Sequence, residues 1–176
     1  MAIVATHLAA STGALTWMAL EWWQRRKPSV LGMISGAVAG LGTITPASGF
    51  VMPWAAVVIG LCAGAICYFA CTALKQRLKY DDSLDVFGVH GVGGATGTLL
   101  CGVFAAASVG ETAGLIEGNP QQVLIQLLGV AVTIGWCGAV TFVLLKVIGF
   151  FQPLRVNTEA EVQGLDITQH GESIHA

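Results

Sequence analysis

Charge is what this chain has least of. Eight Lys and Arg and ten Asp and Glu among 176 residues make up 10% of the sequence, less than half the roughly 25% typical of soluble domains. A soluble chain of this size wraps one core in a charged surface, and this one lacks the charge to do so. Metal and redox frameworks are missing too. The five cysteines, at 62, 67, 71, 101 and 137, form no CxxC and no Cys/His cluster with zinc spacing. All five fall in apolar stretches, so they read as small packing residues, with neither a disulfide nor a metal expected. No basic region precedes the first apolar stretch and no small-residue cleavage site follows it, which argues against a secretory signal peptide. The net charge of −2 says little, because it averages two opposite ends.

What is present is hydrophobicity, at 55% of residues with a mean hydropathy of +0.73. Five stretches, Ile3–Trp23, Ser29–Ala47, Trp54–Leu74, Val86–Ala107 and Val123–Phe150, approach or exceed the roughly 20 residues that cross a bilayer. Backbone groups in lipid must be paired within the segment, so these predict helices. The second is short and Gly-rich; the last is long enough to tilt or project. Residues 1–150 therefore read as a transmembrane region and 151–176 as a tail. Arg25, Arg26, Lys27, Lys75, Arg77, Lys79, Lys146 and Arg155 all fall on one side of a five-crossing arrangement, while the longest loop on the other side carries Glu111 and Glu117. The positive-inside rule then places the N-terminus outside and the tail in the cytoplasm.

The 23 glycines are patterned. Gly36/Gly40, Gly60/Gly64 and Gly93/Gly97 each put two glycines on one helix face, where helix backbones approach closely in lipid. The run from Gly91 to Gly97 is not a nucleotide loop, because position 96 breaks G-x-G-x-x-G and no strand precedes it. Pro46 predicts a non-helical Thr45 and Gly49 a turn, forming a simple outer loop. Pro153 should stop the last helix. The acidic tail beyond it has too little apolar surface for a core and reads as flexible unless docked. His170 and His175 there read as solvated, and His7 as a packed or snorkelling residue near the outer end of the first helix.

His90 raises the functional question. An ionisable group inside a membrane helix is costly and commonly faces a partner, a cavity or a permeation path. Helical spacing places Asp82, Val86, His90, Gly93 or Gly94, and Gly97 on one stripe, where the small residues could pack closely or leave room for a pore. Asp82 and Asp85 fit helix-anchoring at the N-terminus or attraction of a cation at a cytoplasmic mouth. The residues alone leave open a packed core histidine, a proton relay, a ligand contact and a haem ligand. Haem would want a second axial ligand, and His7 belongs to the opposite leaflet.

The stretch Asp82-x-x-Asp85-Val86-Phe87-Gly88-Val89-His90-Gly91 resembles the tenth-helix signature of the ammonium transporter family (Amt/Mep/Rh). Lys27-Pro28-Ser29-x-Leu31-Gly32-x-x-Ser35-Gly36, continuing to Ile44-Thr45-Pro46-Ala47-x-Gly49-Phe50, resembles its eighth helix and outer turn. Gly164-Leu165-Asp166-Ile167-Thr168-x-His170-Gly171-Glu172 resembles its bacterial C-terminal segment. The resemblance covers essentially the whole chain, in order. It implies an all-α membrane protein whose five helices form roughly the second half of an eleven-helix inverted-repeat transporter, assembled as a homotrimer when full length.

It further implies that His90 is one of two pore histidines, Val86 a pore-wall position and Ser35 a polar position nearer the cytoplasmic exit. Asp82 and Asp85 would stand at the foot of the tenth helix, with Gly93 and Gly97 packing near the pore. Gly164, Asp166 and Thr168 would belong to a regulatory tail that can meet a PII-type signalling protein. The substrate implied is ammonium or ammonia in the plasma membrane, with no cofactor, no nucleic acid and no enzymatic activity. The family's other half, with its second histidine, phenylalanine gate and most of its outer cation site, has no counterpart in this sequence. The other readings are a non-transporting half-subunit that binds a PII-type protein, and a haem-binding membrane subunit.

Overall fold

A computed structural model describes residues 1–172; His175 lies outside the described residues. Every named element is helical: α1 Ala2–Arg25, α2 Val30–Ile44, α3 Pro53–Phe69, a π-helical turn Ala70–Leu74, α4 Lys75–Leu78, a second π-turn Phe87–Val92, α5 Gly93–Phe104, α6 Ala107–Gly110, α7 Gln121–Phe151, α8 Thr158–Gln163 and a third π-turn Asp166–His170. Among the described residues four helical stretches are long and apolar enough to cross a membrane: Ala2–Arg25, Pro53–Leu78, Phe87–Phe104 and Gln121–Phe151. The apolar α2 has 15 residues, about 22 Å at 1.5 Å per residue. The chain divides into two compact units, Met1–Ala131 and Val132–Ala176.

In the first unit α1, α2 and α3 pack through small residues. α1 buries Ala5, Ala9, Gly13, Trp17 and Glu21, one residue every fourth position and therefore one face. Gly36 and Gly40 of α2 lie against Ala9, Gly13 and Trp17, while Gly60 and Gly64 of α3 lie against Ala9, Thr12, Gly13 and Thr16. A β-carbon at Gly36 would stand 2.7 Å from the Gly13 carbonyl oxygen, so no larger residue fits without moving a backbone. Trp17 and Tyr68 meet edge to face at 5.4 Å, in a cluster with Ala39, Cys67, Cys71 and Val89.

Thr45 is helical (φ −48°, ψ −49°), against the expectation from Pro46. Its hydroxyl donates to the Leu41 carbonyl at 2.6 Å, a local bond that holds the turn despite pre-proline crowding. The loop beyond is pinned. Val51 bridges Ala105, the Ala106 N–H donates to Phe50 O at 2.8 Å, and Glu117 accepts from the Ala107 N–H at 2.8 Å.

In the second unit the long helix ends at Phe151, two residues before Pro153. The tail is more ordered than its composition suggests. Asn157 caps α8 by accepting from the Ala160 N–H at 2.8 Å, and Arg155 pairs with Glu161 at 2.7 Å. Local capping supplies order that a missing core cannot.

Candidate functional site

The helix that carries His90 starts on an anchored foot. The Asp82 carboxylate accepts from the Val86 N–H at 2.8 Å and the Phe87 N–H at 2.9 Å. It thereby satisfies first-turn donors that have no intrahelical partner. Asp85 takes a left-handed backbone (φ 57°), which Asp tolerates better than most residues. Its side chain receives Lys75 Nζ at 2.7 Å, and its carbonyl accepts from the Val89 N–H at 2.9 Å. Both acids are thus engaged, one with the helix start and the other tying that start to α4.

The turn that follows is π-helical, as is the Ala70–Leu74 turn of the neighbouring stretch, and the two abut. Gly88 lies directly on Cys71, whose thiol a β-carbon at position 88 would strike. The Cys71 and Cys67 thiols point at the Asp85 and Val89 carbonyls, at 3.9 Å each. Gly88, Val89, Gly93, Gly97 and Cys101 are buried. Gly93 makes room for the Thr43 hydroxyl and the Cys67 thiol, and Gly97 for the Thr43 backbone.

His90 lies on another face. It is exposed, and so is Val86, at 51%. A β-carbon at Gly42 would come within 3.7 Å of His90 Nδ1, whereas one at Gly94 would meet nothing. The single stripe expected from ideal helical spacing is therefore split. Gly93 and Gly97 face the bundle, while Val86, His90 and Gly94 open away from it. The cause is the i→i+5 bonding over Phe87–Val92, which holds more residues per turn and breaks the α-helical register at His90.

Ser35, half-buried on α2, lines a cavity of about 200 Å³ together with Glu21, Tyr68, Lys75 and Asp85; His90 and Val86 are not in that lining. Glu21 escaped the sequence reading. It is 5% exposed and accepts from the Ser29 N–H at 3.0 Å, the Ser29 hydroxyl at 2.9 Å and Arg25 at 3.3 Å. A buried carboxylate is costly unless paired, and here it closes the α1–α2 junction at the N-terminus of α2. The signal was its place four residues beyond Trp17, on the buried face of α1. His7 is exposed. Among the described residues no three His, Cys, Asp or Glu group as metal ligands would.

In the second unit Gly164 has φ 103° and its carbonyl accepts from the Thr168 hydroxyl at 2.9 Å. Asp166 heads the last π-turn, where its carbonyl accepts from the Glu172 N–H at 3.0 Å. His170 is exposed.

The sequence model of the Ammonium Transporter Family matches residues 1–174. The chain belongs to that family. The ammonium transporter of Bacillus subtilis is 43% identical over 99% of this chain and 44% of its own length; that of Aquifex aeolicus is 48% identical over 99% and 41%. Among solved structures, Saccharomyces cerevisiae Mep2 superposes with a TM-score of 0.82 at 40% identity, covering 90% of this chain and 37% of Mep2. A protein described as Sensor Amt Protein superposes at 0.83 with 30% identity, covering 96% and 41%. The chain thus spans less than half the length of these family members. With its apolar helices, family membership makes it a membrane protein.

Proposed function

We propose that this chain is one half of an ammonium-transporting subunit and that His90 lines the transport path once a complementary half covers its face. The observation that carries this reading is the open Val86–His90–Gly94 face. An intramembrane imidazole, on a helix anchored by Asp82 and by the Asp85–Lys75 pair, is presented to whatever lies beyond the bundle. Inverted-repeat transporters place their path between two halves, and the chain's share of its relatives' length fits one half. The neutral imidazole has one donor and one acceptor and can pass a small polar solute along. A bare cation pays a large desolvation cost in apolar surroundings that neutral ammonia avoids, so ammonium would give its proton to water at the mouth and pass His90 as ammonia. Ser35 and its cavity lie toward the basic foot and would form the exit. Gly93 and Gly97 hold the His90 helix against α2, and Asp82 and Asp85 anchor it rather than attract a cation.

The same reading takes five crossings, with α2 as the short one, and a cytoplasmic tail, because all eight Lys and Arg fall on one side. Labelling of single cysteines placed at Arg26 and Lys79 by a membrane-impermeant thiol reagent tests it; modification from outside intact cells at either position overturns the orientation. The full subunit would be a homotrimer.

Methylammonium uptake in transporter-deficient cells tests the function. The chain alone should not support uptake, and co-expression with the complementary half should restore it in a form altered by His90→Ala. Uptake by the chain alone that disappears with His90→Ala overturns the half-subunit reading. A second reading, a non-transporting partner for a PII-type protein through Gly164, Asp166 and Thr168, draws on the ordered tail and on the similarity to a protein described as a sensor. Tail-dependent capture of a PII-type protein with no uptake under any pairing would favour it.

A further inference from the structure

A groove of about 380 Å³ runs along one side of the Pro53–Leu78 helix, between Ile66, Phe69, Ala70, Ala73, Val92 and Arg77. We infer that it seats one acyl chain of an anionic phospholipid in the cytoplasmic leaflet, with Arg77 holding the phosphate. The groove's shape follows from its residues. Positions 66, 69, 70, 73 and 77 recur at three- and four-residue steps and so share one helix face. Ala70 and Ala73 fall in the π-turn, and their small side chains leave room beside Ile66, Phe69 and Val92.

From Ile66 to Arg77 the helix rises about 16 Å, close to the roughly 15 Å depth of one leaflet of a 30 Å hydrocarbon core. An acyl chain laid along it therefore starts near the midplane and reaches its headgroup at Arg77. Arg77 is exposed, and a guanidinium grips a phosphate bidentately. Two further cations, Lys75 and Lys79, flank it in sequence. Val92 lies two residues from His90 in the π-turn, somewhat under the roughly 200° of an α-helix and still close to the opposite side. The groove thus opens on the side away from the face assigned to the missing half, toward lipid.

This inference rests on the inward orientation of the basic foot proposed above, but its readout is lipid rather than transport, so the two can fail separately. The experiment reconstitutes the chain in phosphatidylcholine nanodiscs with a trace of spin-labelled phosphatidylglycerol or phosphatidylcholine. It reads the motionally restricted fraction of each. At about the worth of one basic residue near an anionic surface, phosphatidylglycerol should be preferred about fivefold. Arg77→Gln should erase that preference, Arg77→Lys should keep part of it, and Ile66→Trp, which fills the groove, should lower the restricted fraction of both lipids. Arg26→Gln, at the α1–α2 loop, should change neither.

Equal loss of preference with Arg26→Gln and Arg77→Gln would mean a diffuse basic surface and overturns the site. So does a preference untouched by Arg77→Gln. Loss of the restricted lipid when the complementary half is bound would make the groove a protein seat and overturns it as well. Dissociation of an oligomer of this chain by Ile66→Trp has the same consequence.

Discussion

Two faces of the Phe87–Phe104 helix differ in nearly every respect. The face with Gly88, Val89, Gly93 and Gly97 is buried and built of small residues pressed on Cys71, Cys67 and Thr43. The face with Val86, His90 and Gly94 is open: Val86 and His90 are exposed, and a β-carbon at Gly94 would meet nothing. One helix therefore has two roles on the proposed reading: the first face holds it in place and the second would line the transport path. Stability and function should accordingly come apart by face, and substitutions can test that separation.

The largest loss is expected from Gly97→Leu. The side chain would be driven into the Thr43 backbone, and overpacking of this kind costs about 3 kcal/mol or more where backbone must move. Loss of folded yield in detergent, followed by thermal unfolding, measures it; a stable Gly97→Leu chain would refute the packing described for that face. Asp82→Ala should cost about 1 kcal/mol through the lost cap on the Val86 and Phe87 N–H groups, read as a lower unfolding midpoint. Lys75→Ala should lower the midpoint less than Asp82→Ala does, because the pair it breaks is roughly one-third exposed and so partly screened.

On the open face, His90→Ala should change the stability of the chain alone by no more than about 0.5 kcal/mol. When the complementary half is present the ranking should invert in an uptake assay, with His90→Ala dominating and Lys75→Ala mild. A His90→Ala chain that unfolds like Gly97→Leu would erase the distinction between the faces.

The helices themselves were legible, since a run of apolar residues near bilayer length has few alternatives. The stop before Pro153, the roles of Gly36 and Gly60 in close packing, and the foot at Asp82 followed from residue chemistry. The faces were not legible. In lipid, a residue turned outward is as apolar as one turned inward, so hydropathy cannot distinguish Val89, buried, from Val86, exposed. Ideal helical spacing then misassigned Gly97 to the His90 stripe, because nothing in Phe87–Val92 announces a π-turn. Glu21 was overlooked for a related reason: at the end of a span it reads as a boundary residue, and its burial depends on Ser29 folding back over it. The Lys75–Asp85 contact joins elements ten residues apart across a turn set by the left-handed Lys79 and Asp85 backbones, a geometry composition does not encode.

If α2 is the short crossing proposed above, its length has an electrical consequence. Its roughly 22 Å fall short of a 30 Å hydrocarbon core, and the chain beyond Ile44 continues as turns that leave Thr45, Gly49 and Phe50 exposed. Non-helical backbone at that depth is tolerated where protein or water satisfies it. In the proposed orientation, water following those turns inward would carry the outer potential with it. The voltage across the membrane would then fall over a shorter distance beside α2 than through the surrounding lipid, and the field along that stretch would be steeper. A cation that stops at the turn has crossed little of the voltage. Any charge that goes further meets nearly all of it, at about 2.3 kcal/mol per elementary charge for each 100 mV, while a neutral solute on the same route meets none.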